Sequence, residues 1–493
     1  MNYAELFSAL VPETIIVITA LVVLAADLLL LRDAPERKRL GVGAFITAVG
    51  CGAAMVALAA ATQSARLLDG MLVLGGTSSF LKQVILLLTI LTSLISIDSK
   101  FTRHIGEYLA LLLLATVGMM LLVSSDNLLL IFVALELTSL PLYALTAFNK
   151  SDVKSSEAAL KYFLFGSMAA AFMLFGLSLL YGISGEITLS GVAAKLGGRP
   201  EPVFYVALVM TAVGFAFKVA AAPFHLWAPD AYQGAPTPVA AFIASGSKVA
   251  SFFVLAQIMM IGLAGNEGSA AWRAGAPGWV SLLAMLAIIS MVLGNIAAIA
   301  QSSVKRLLAY SAIAHAGYAL LAVVANTPQG FGSLLYYVVT YAVTALGAFA
   351  VVGVVENATG GERLRDFAGL GRRSPVLSLC MLVFVLSLAG IPPLAGFFGK
   401  FYVFTAAARS GGSLGLLWLV IIAIATSAVS LYYYLQVLKQ IYVSESEEPA
   451  APVRVALPVQ ISILVLAAAV VLLGCAPDWL LRKFALAQAA AGL

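Results

Sequence analysis

Four lysines stand where lysine is costly. Lys161, Lys218, Lys248 and Lys400 each fall inside or at the edge of a long apolar run. A charged side chain at the centre of a bilayer costs about 2.5–3.5 kcal/mol even on a lenient insertion scale. Glu136, His225 and His315 lie in runs of the same kind. Burial makes the charged amine expensive, so a buried lysine can release and regain a proton, which an arginine does not do. No arginine occupies a mid-run position. Histidine relays protons near neutral pH, and carboxylates inside apolar spans mark ion or proton paths. The set is therefore suited to moving protons. Four members also have a plainer reading: Glu136 as a protonated, hydrogen-bonded core residue, either histidine as a structural hydrogen-bond partner, Lys161 as an edge residue.

The surroundings of these residues sharpen the reading. Glu136 sits near the middle of its run, with Pro141 five residues on to free a carbonyl and loosen the helix. Lys218 is followed by Val-Ala-Ala-Ala-Pro223-Phe-His225-Leu-Trp227-Ala-Pro229, a stretch that reads as a broken helix around a protein-lined or wet cavity. A Glu136–Lys218 contact at ~4 Å would be worth about 4 kcal/mol at an effective dielectric near 20, enough to switch the lysine between holding and releasing a proton. Lys248 lies among Ser245, Gly246, Ser247 and Ser251, which leave room for close packing and water. His315 shares a helix face with Ser311 and Tyr318. Lys161 follows Glu157 by four residues and Lys154 by seven on one face. Lys400 closes a second interruption, Gly390-Ile-Pro392-Pro393-Leu-Ala-Gly396.

Such residues need helices to hold them in a membrane. Of 493 residues 62% are hydrophobic and 10% charged, against about 25% charged in soluble domains; the mean hydropathy is +1.03. Unbroken apolar runs rather than period-two alternation argue for helices over a barrel. The expected class is an all-α polytopic membrane protein of about fourteen spans. Two of them, 203–232 and 375–409, are interrupted, whereas 237–263 is expected to be continuous. The lysine precedes the prolines in one interrupted span and follows them in the other, five spans later. That pattern suggests two inverted five-helix repeats, 108–263 and 278–442, preceded by three helices in 1–107 and followed by a fourteenth helix and tail in 455–493.

Fifteen loop Lys and Arg, among them Arg37, Lys100, Lys150, Lys305, Arg306 and Arg454, fall in one set of loops, and seven in the other. The first set is expected to be cytoplasmic and both termini periplasmic. The stretch from Pro12 to Leu31 reads as a first span rather than a cleaved signal. Lys82 and Lys439 lie near span ends and are expected to snorkel. The net charge of +5 comes from loops and does not point to nucleic acid. Cys51, Cys380 and Cys475 have no metal or cluster spacing and read as small buried hydrophobes. The sequence carries no GxGxxG turn, no GxxxxGKS loop and no Cys/His cluster, so the energy for transport is expected from an ion gradient or another subunit.

The segments around Glu136, from Lys218 through Pro238, from Lys305 through Tyr318 and from Gly390 through Lys400 resemble the antiporter-like membrane subunits of respiratory complex I and of multi-subunit cation/proton antiporters. The resemblance covers nearly the whole chain. Within the family it is most similar to the N-type members of NADH-quinone oxidoreductase. The span-five glutamate is followed by Thr138-Ser139-Leu-Pro141-Leu-Tyr143, and the second broken helix carries a lysine where M-type members carry glutamate. The chain also ends after span fourteen without the long lateral helix of L-type members.

The resemblance implies a coupled pair in Glu136 and Lys218, a central relay in Lys248, a lysine toward the exit half-channel in Lys400, and connecting residues in Lys161 and His225. It implies no cofactor in this chain, with FMN, iron–sulfur clusters and quinone in partner subunits of a bacterial inner-membrane complex. It implies as neighbours the other antiporter-like and small helical membrane subunits, and lipids. Three functions stay in view: a proton-translocating subunit coupled to quinone reduction elsewhere, a gradient-driven cation/proton antiporter subunit, and a structural subunit whose buried charges fix packing.

Overall fold

A computed structural model describes residues 7–60, 65–68, 71–198, 201–410, 414–445 and 453–491. The chain is a helical bundle of the expected class. It opens with α1 (Val11–Leu29), α2 (Glu36–Ala60), a small antiparallel hairpin of β1 (Ala65–Leu67) and β2 (Leu72–Leu74), and α3 (Gly76–Ile95). Then come α4 (Ile105–Leu122), α5 (Leu128–Thr146) and α6 (Val153–Ser184). The next crossings are in pieces: α7 (Pro202–Val219), α8 (Trp227–Gly234), α9 (Thr237–Ala244) and α10 (Gly246–Gln257). The remainder comprises α11 (Trp279–Ile299), α12 (Val304–Val324), α13 (Pro328–Thr359), α14 (Pro375–Ala389), α15 (Ala395–Arg409), α16 (Leu417–Tyr442), α17 (Leu457–Cys475) and a tail helix α18 (Pro477–Ala491). Among the described residues thirteen helical stretches are each long and apolar enough to cross a membrane. Joined across their break, α14 and α15 supply a fourteenth crossing.

Local chemistry sets the ends. The Asn127 side chain accepts the backbone N–H groups of Leu129 and Leu130 and starts α5, and Thr327 does the same for α13 through Gly330 N; both satisfy orphan donors of a first turn. The hairpin is tied to the core by Val73 N donating to Ser124 O and by Arg66, 3.7 Å from Asp126. Burial pushes the Asp126 carboxyl above the ordinary carboxylate range, and Arg66 opposes that shift.

Both interruptions read from the sequence are present. The first lies between α7 and α8, after Ala220 in the left-handed region (φ 58°); the second lies between α14 and α15, after Gly390 (φ 88°). Each contains a cis proline, Pro223 and Pro393. The span expected to be continuous over 237–263 is itself broken: Ser245 adopts φ −112°, ψ −84° between α9 and α10, and a π-turn closes it at Ile258–Gly262. Ser245 Oγ donates to Ala241 O at 2.7 Å, so a serine turned on its own helix stands where no proline announced a break.

The centre is formed by α9 with α10, α12 and α13, whose spanning windows are 100%, 94% and 94% buried, against 39% for α1, α2, α6 and α17. Two ion pairs hold the first helix at its two ends. Asp27 receives Arg39 through two hydrogen bonds (2.7 and 2.6 Å) and Gly106 N at 2.9 Å. Lys82 does not snorkel: it is 2% exposed, with Nζ 2.6 Å from Glu13 Oε1. A buried lysine with a carboxylate in reach is better off paired inside than stretched toward the headgroups.

Candidate functional site

The left-handed residue Ala220 ends α7 two residues after Lys218, so the lysine sits at the lip of the first break. The freed backbone is satisfied from outside the helix, Ala222 N donating to Ser290 Oγ of α11 at 2.8 Å. Trp227 braces the break by stacking on Tyr162 at 4.2 Å and donating its indole N–H to Phe217 O at 3.0 Å. Lys218 Nζ donates to Ser139 Oγ of α5, which donates in turn to Leu135 O. The direct contact envisaged between Lys218 and Glu136 is not formed within 4.0 Å. The carboxylate lies within electrostatic reach of the amine with Oε1 buried and without a hydrogen bond. Ser139, one helical turn after Glu136 on α5, takes the amine's hydrogen bond instead.

His225 lies inside the same break, 5% exposed, with Nδ1 buried and without a hydrogen bond. Lys161 sits elsewhere. Its side chain is 41% exposed, and its Nζ lies 2.7 Å from both Glu157 and Asp230. Asp230 also receives Arg306 at 2.6 Å, and Arg306 donates to Gln233 Oε1. Lys161 thus belongs to a polar girdle at the rim joining α6, α8 and α12, not to the buried file.

Past the Ser245 break, Lys248 is 3% exposed. Its Nζ donates to Ala312 O of α12 at 2.7 Å and lies 5.3 Å above the Tyr341 ring. Ala312 is three residues from His315, so the lysine docks on the helix that carries the histidine. His315 is held at both ring nitrogens: Nδ1 to Tyr337 Oη at 2.6 Å, and Nε2 to Tyr434 Oη at 3.2 Å. Tyr434 Oη also meets Ser311 Oγ at 2.5 Å. His315 is within electrostatic reach of both Lys248 and Lys400.

At the second break Lys400 Nζ donates to the carbonyls of Leu388 and Ala389, each at 2.9 Å, and to Ser427 Oγ at 2.8 Å. These are the carbonyls left free where α14 ends in left-handed Gly390. The amine also lies 5.3 Å from the Tyr318 ring. Tyr318 Oη is shared with Asn295 (3.0 Å) and Thr426 (3.3 Å), and Asn295 Oδ1 accepts from Tyr433 at 3.0 Å.

Lys248, His315 and Lys400 therefore lie on one polar file through the buried part of the bundle, and Lys218 stands at the lip of the first break, bonded to Ser139 of α5. Sequence reasoning missed Ser139, Tyr337, Tyr434 and Asn295, which furnish the hydroxyl and amide links. The run Tyr432-Tyr-Tyr434 inside an apolar span was the one available signal. It also placed Lys305 in a loop. Lys305 is 3% exposed and paired with Glu356 at 2.8 Å, and Glu356 also accepts from Thr237 Oγ1. Among the described residues no three His, Cys, Asp or Glu side chains are placed to hold a metal ion.

Two broken helices that each present a lysine to a polar, buried interior define a class of membrane proteins built like cation/proton antiporters. A family model for the transmembrane region of NADH:quinone oxidoreductase and Mrp antiporters matches residues 125–429. NADH-quinone oxidoreductase subunit N 2 of Acidobacterium capsulatum is 52% identical over 98% of this chain and 99% of its own length. Subunit N of Trichlorobacter lovleyi is 37% identical over 98% of both chains. A chain of respiratory complex I from Thermus thermophilus superposes with TM-score 0.78 at 36% identity, covering 96% of this chain and 98% of that one. A chain of the Mrp complex from Dietzia, 21% identical, covers 98% of this chain and 97% of its own with TM-score 0.82, a likeness of fold alone. The chain belongs to this family, in the branch of NADH-quinone oxidoreductase subunit N.

Proposed function

We propose that this chain is the proton-translocating membrane subunit of an NADH-quinone oxidoreductase and carries no redox step itself. FMN, iron–sulfur clusters and quinone are assigned to partner subunits, and the other membrane subunits of that complex to its flanks. Residues 108–263 and 278–442 act as two inverted repeats, with both termini on the periplasmic side of a bacterial inner membrane. The observation that carries the reading is the position of His315, held by two tyrosine hydroxyls, with its ring packed on Tyr341, which lies under Lys248, and on Tyr318, which lies under Lys400. Buried lysines alone can be structural. Buried lysines bracketing a doubly hydrogen-bonded imidazole form a file along which a proton can pass.

In this mechanism Glu136 acts on Lys218 through space, and a change in its charge favours or disfavours the ammonium form. Lys218 gives its proton toward Lys248, which hands it along α12 to His315. Lys400, held by the free carbonyls of the second break, accepts it. Each step needs only a local change of field, which quinone reduction in a partner supplies along the membrane arm.

The test is NADH-driven acidification of inverted vesicles carrying Lys218→Ala, with NADH oxidation followed in parallel. Loss of both, with the complex still assembled, is the expected result. Undiminished pumping and oxidation would remove Lys218 from the path. Cation-gradient-driven proton exchange without NADH would favour the antiporter function instead.

A further inference from the structure

Two cavities of ≈ 520 and ≈ 600 Å³ lie side by side on the face that carries most of the loop Lys and Arg, and they share Lys100 and Glu36. The first is bounded by the start of α2, the end of α3, the end of α13 and the residues leading into α17, with Arg37, Lys100 and Arg454 around it. The second adds Arg103 and Lys150. Five cations face two carboxylates, and both carboxylates already have partners in the wall. Asp98 is 3.3 Å from Arg37 and accepts Ala456 N at 2.6 Å, and Glu36 is 3.5 Å from Arg103. Among the described residues Lys100, Lys150 and Arg454 make no ion pair and no side-chain hydrogen bond. These three cations are what the site offers to an incoming anion.

The floor is preorganised and apolar. Asp98 ties three elements together, since Asn357 Nδ2 of α13 donates to its carbonyl at 3.2 Å while its carboxylate caps the approach to α17. Beneath the cations lie Leu40, Ile97, Val354 and Val455. Immediately beyond Ala456 the outer surface continues through Leu457 and Ile461, 67% and 49% exposed. A free phosphate would use the cations and waste the apolar floor. A phospholipid uses both, with its headgroup among the cations and its chains along α17. We propose that this double cavity is a binding site for the headgroup of an anionic phospholipid of that leaflet, seated where α2, the end of α3, α13 and α17 meet.

The experiment uses the assembled complex in nanodiscs and a photoactivatable phosphatidylglycerol. Wild-type complex should be labelled in the peptides around residues 97–101 and 453–457. Unlabelled phosphatidylglycerol or cardiolipin should displace the probe, and phosphatidylcholine or excess inorganic phosphate should not. Replacing Lys100, Lys150 and Arg454 together by serine should lower that labelling about tenfold or more while NADH oxidation still reports an assembled complex. The charge-preserving set Lys100→Arg, Lys150→Arg and Arg454→Lys should keep it. Equal labelling by a photoactivatable phosphatidylcholine, unchanged labelling of the serine variant, or displacement by inorganic phosphate would overturn the proposal.

Discussion

Tyr434→Phe tests the file with one atom. The ring is fully buried, and phenylalanine keeps its volume, so packing is preserved. Only the hydroxyl is lost. Its loss leaves His315 Nε2 without its 3.2 Å partner and Ser311 without its 2.5 Å partner. A buried polar group left unsatisfied costs about 1–3 kcal/mol. If His315 carries the proton between Lys248 and Lys400, that cost falls on the transfer step. The coupled rate then drops about 5- to 150-fold, at 1.36 kcal/mol per decade. The assay is NADH oxidation and acidification in inverted vesicles at matched complex content, and both should fall in proportion. The change should act through the histidine, so adding Tyr434→Phe to His315→Gln should cost no more than about a further twofold, the scale of additivity error for uncoupled sites. A wild-type rate in Tyr434→Phe, or full additivity with His315→Gln, would refute a relay through this ring.

Other consequences follow from the buried pairs and the breaks. Glu13→Gln strands the Lys82 amine in the bundle and should cut assembled complex on native gels, the single change costing about 3–5 kcal/mol, whereas Glu13→Gln with Lys82→Met should restore most of the yield. Glu356→Gln should lower thermal stability of the complex, measured by its unfolding midpoint, because Lys305 loses its 2.8 Å partner; the half-exposed carboxylate keeps the cost nearer ~1–2 kcal/mol than that of a fully buried pair. Gly390→Ala should slow pumping more than it lowers assembly. The left-handed backbone costs about 1–2 kcal/mol for an alanine, and the added methyl would lie 3.0 Å from Lys400 Cδ, displacing the amine from its carbonyls. Equal losses in assembly and in rate would count against a positioned Lys400.

The sequence by itself determined the class, the two proline-marked breaks and three of the buried lysines, Lys218, Lys248 and Lys400. Apolar runs, Pro and Gly are local signals, and the insertion cost of a lysine is high wherever it sits. It also carried enough family-specific pattern around Glu136, Lys218 and Lys400 to foresee the branch named by the comparisons. It misjudged what depends on neighbours. Lys82 and Lys305 read as edge or loop residues because their carboxylates, Glu13 and Glu356, lie 69 and 51 positions away along the chain. The break at Ser245 carried no proline, only the pair Ser245-Gly246, which inside a run of small residues reads equally well as close helix packing. Hydropathy could not separate centre from rim: α13 and α2 score 2.2 and 2.1, yet are 94% and 39% buried. In a membrane both lipid and protein are apolar surroundings, so composition is blind to which of them a helix faces. Only the packing of α15 and α16 against α10, α12 and α13 decided that Lys248, His315 and Lys400 share a file linked by Tyr337 and Tyr434, and only the approach of α5 to α7 brought Ser139 to Lys218.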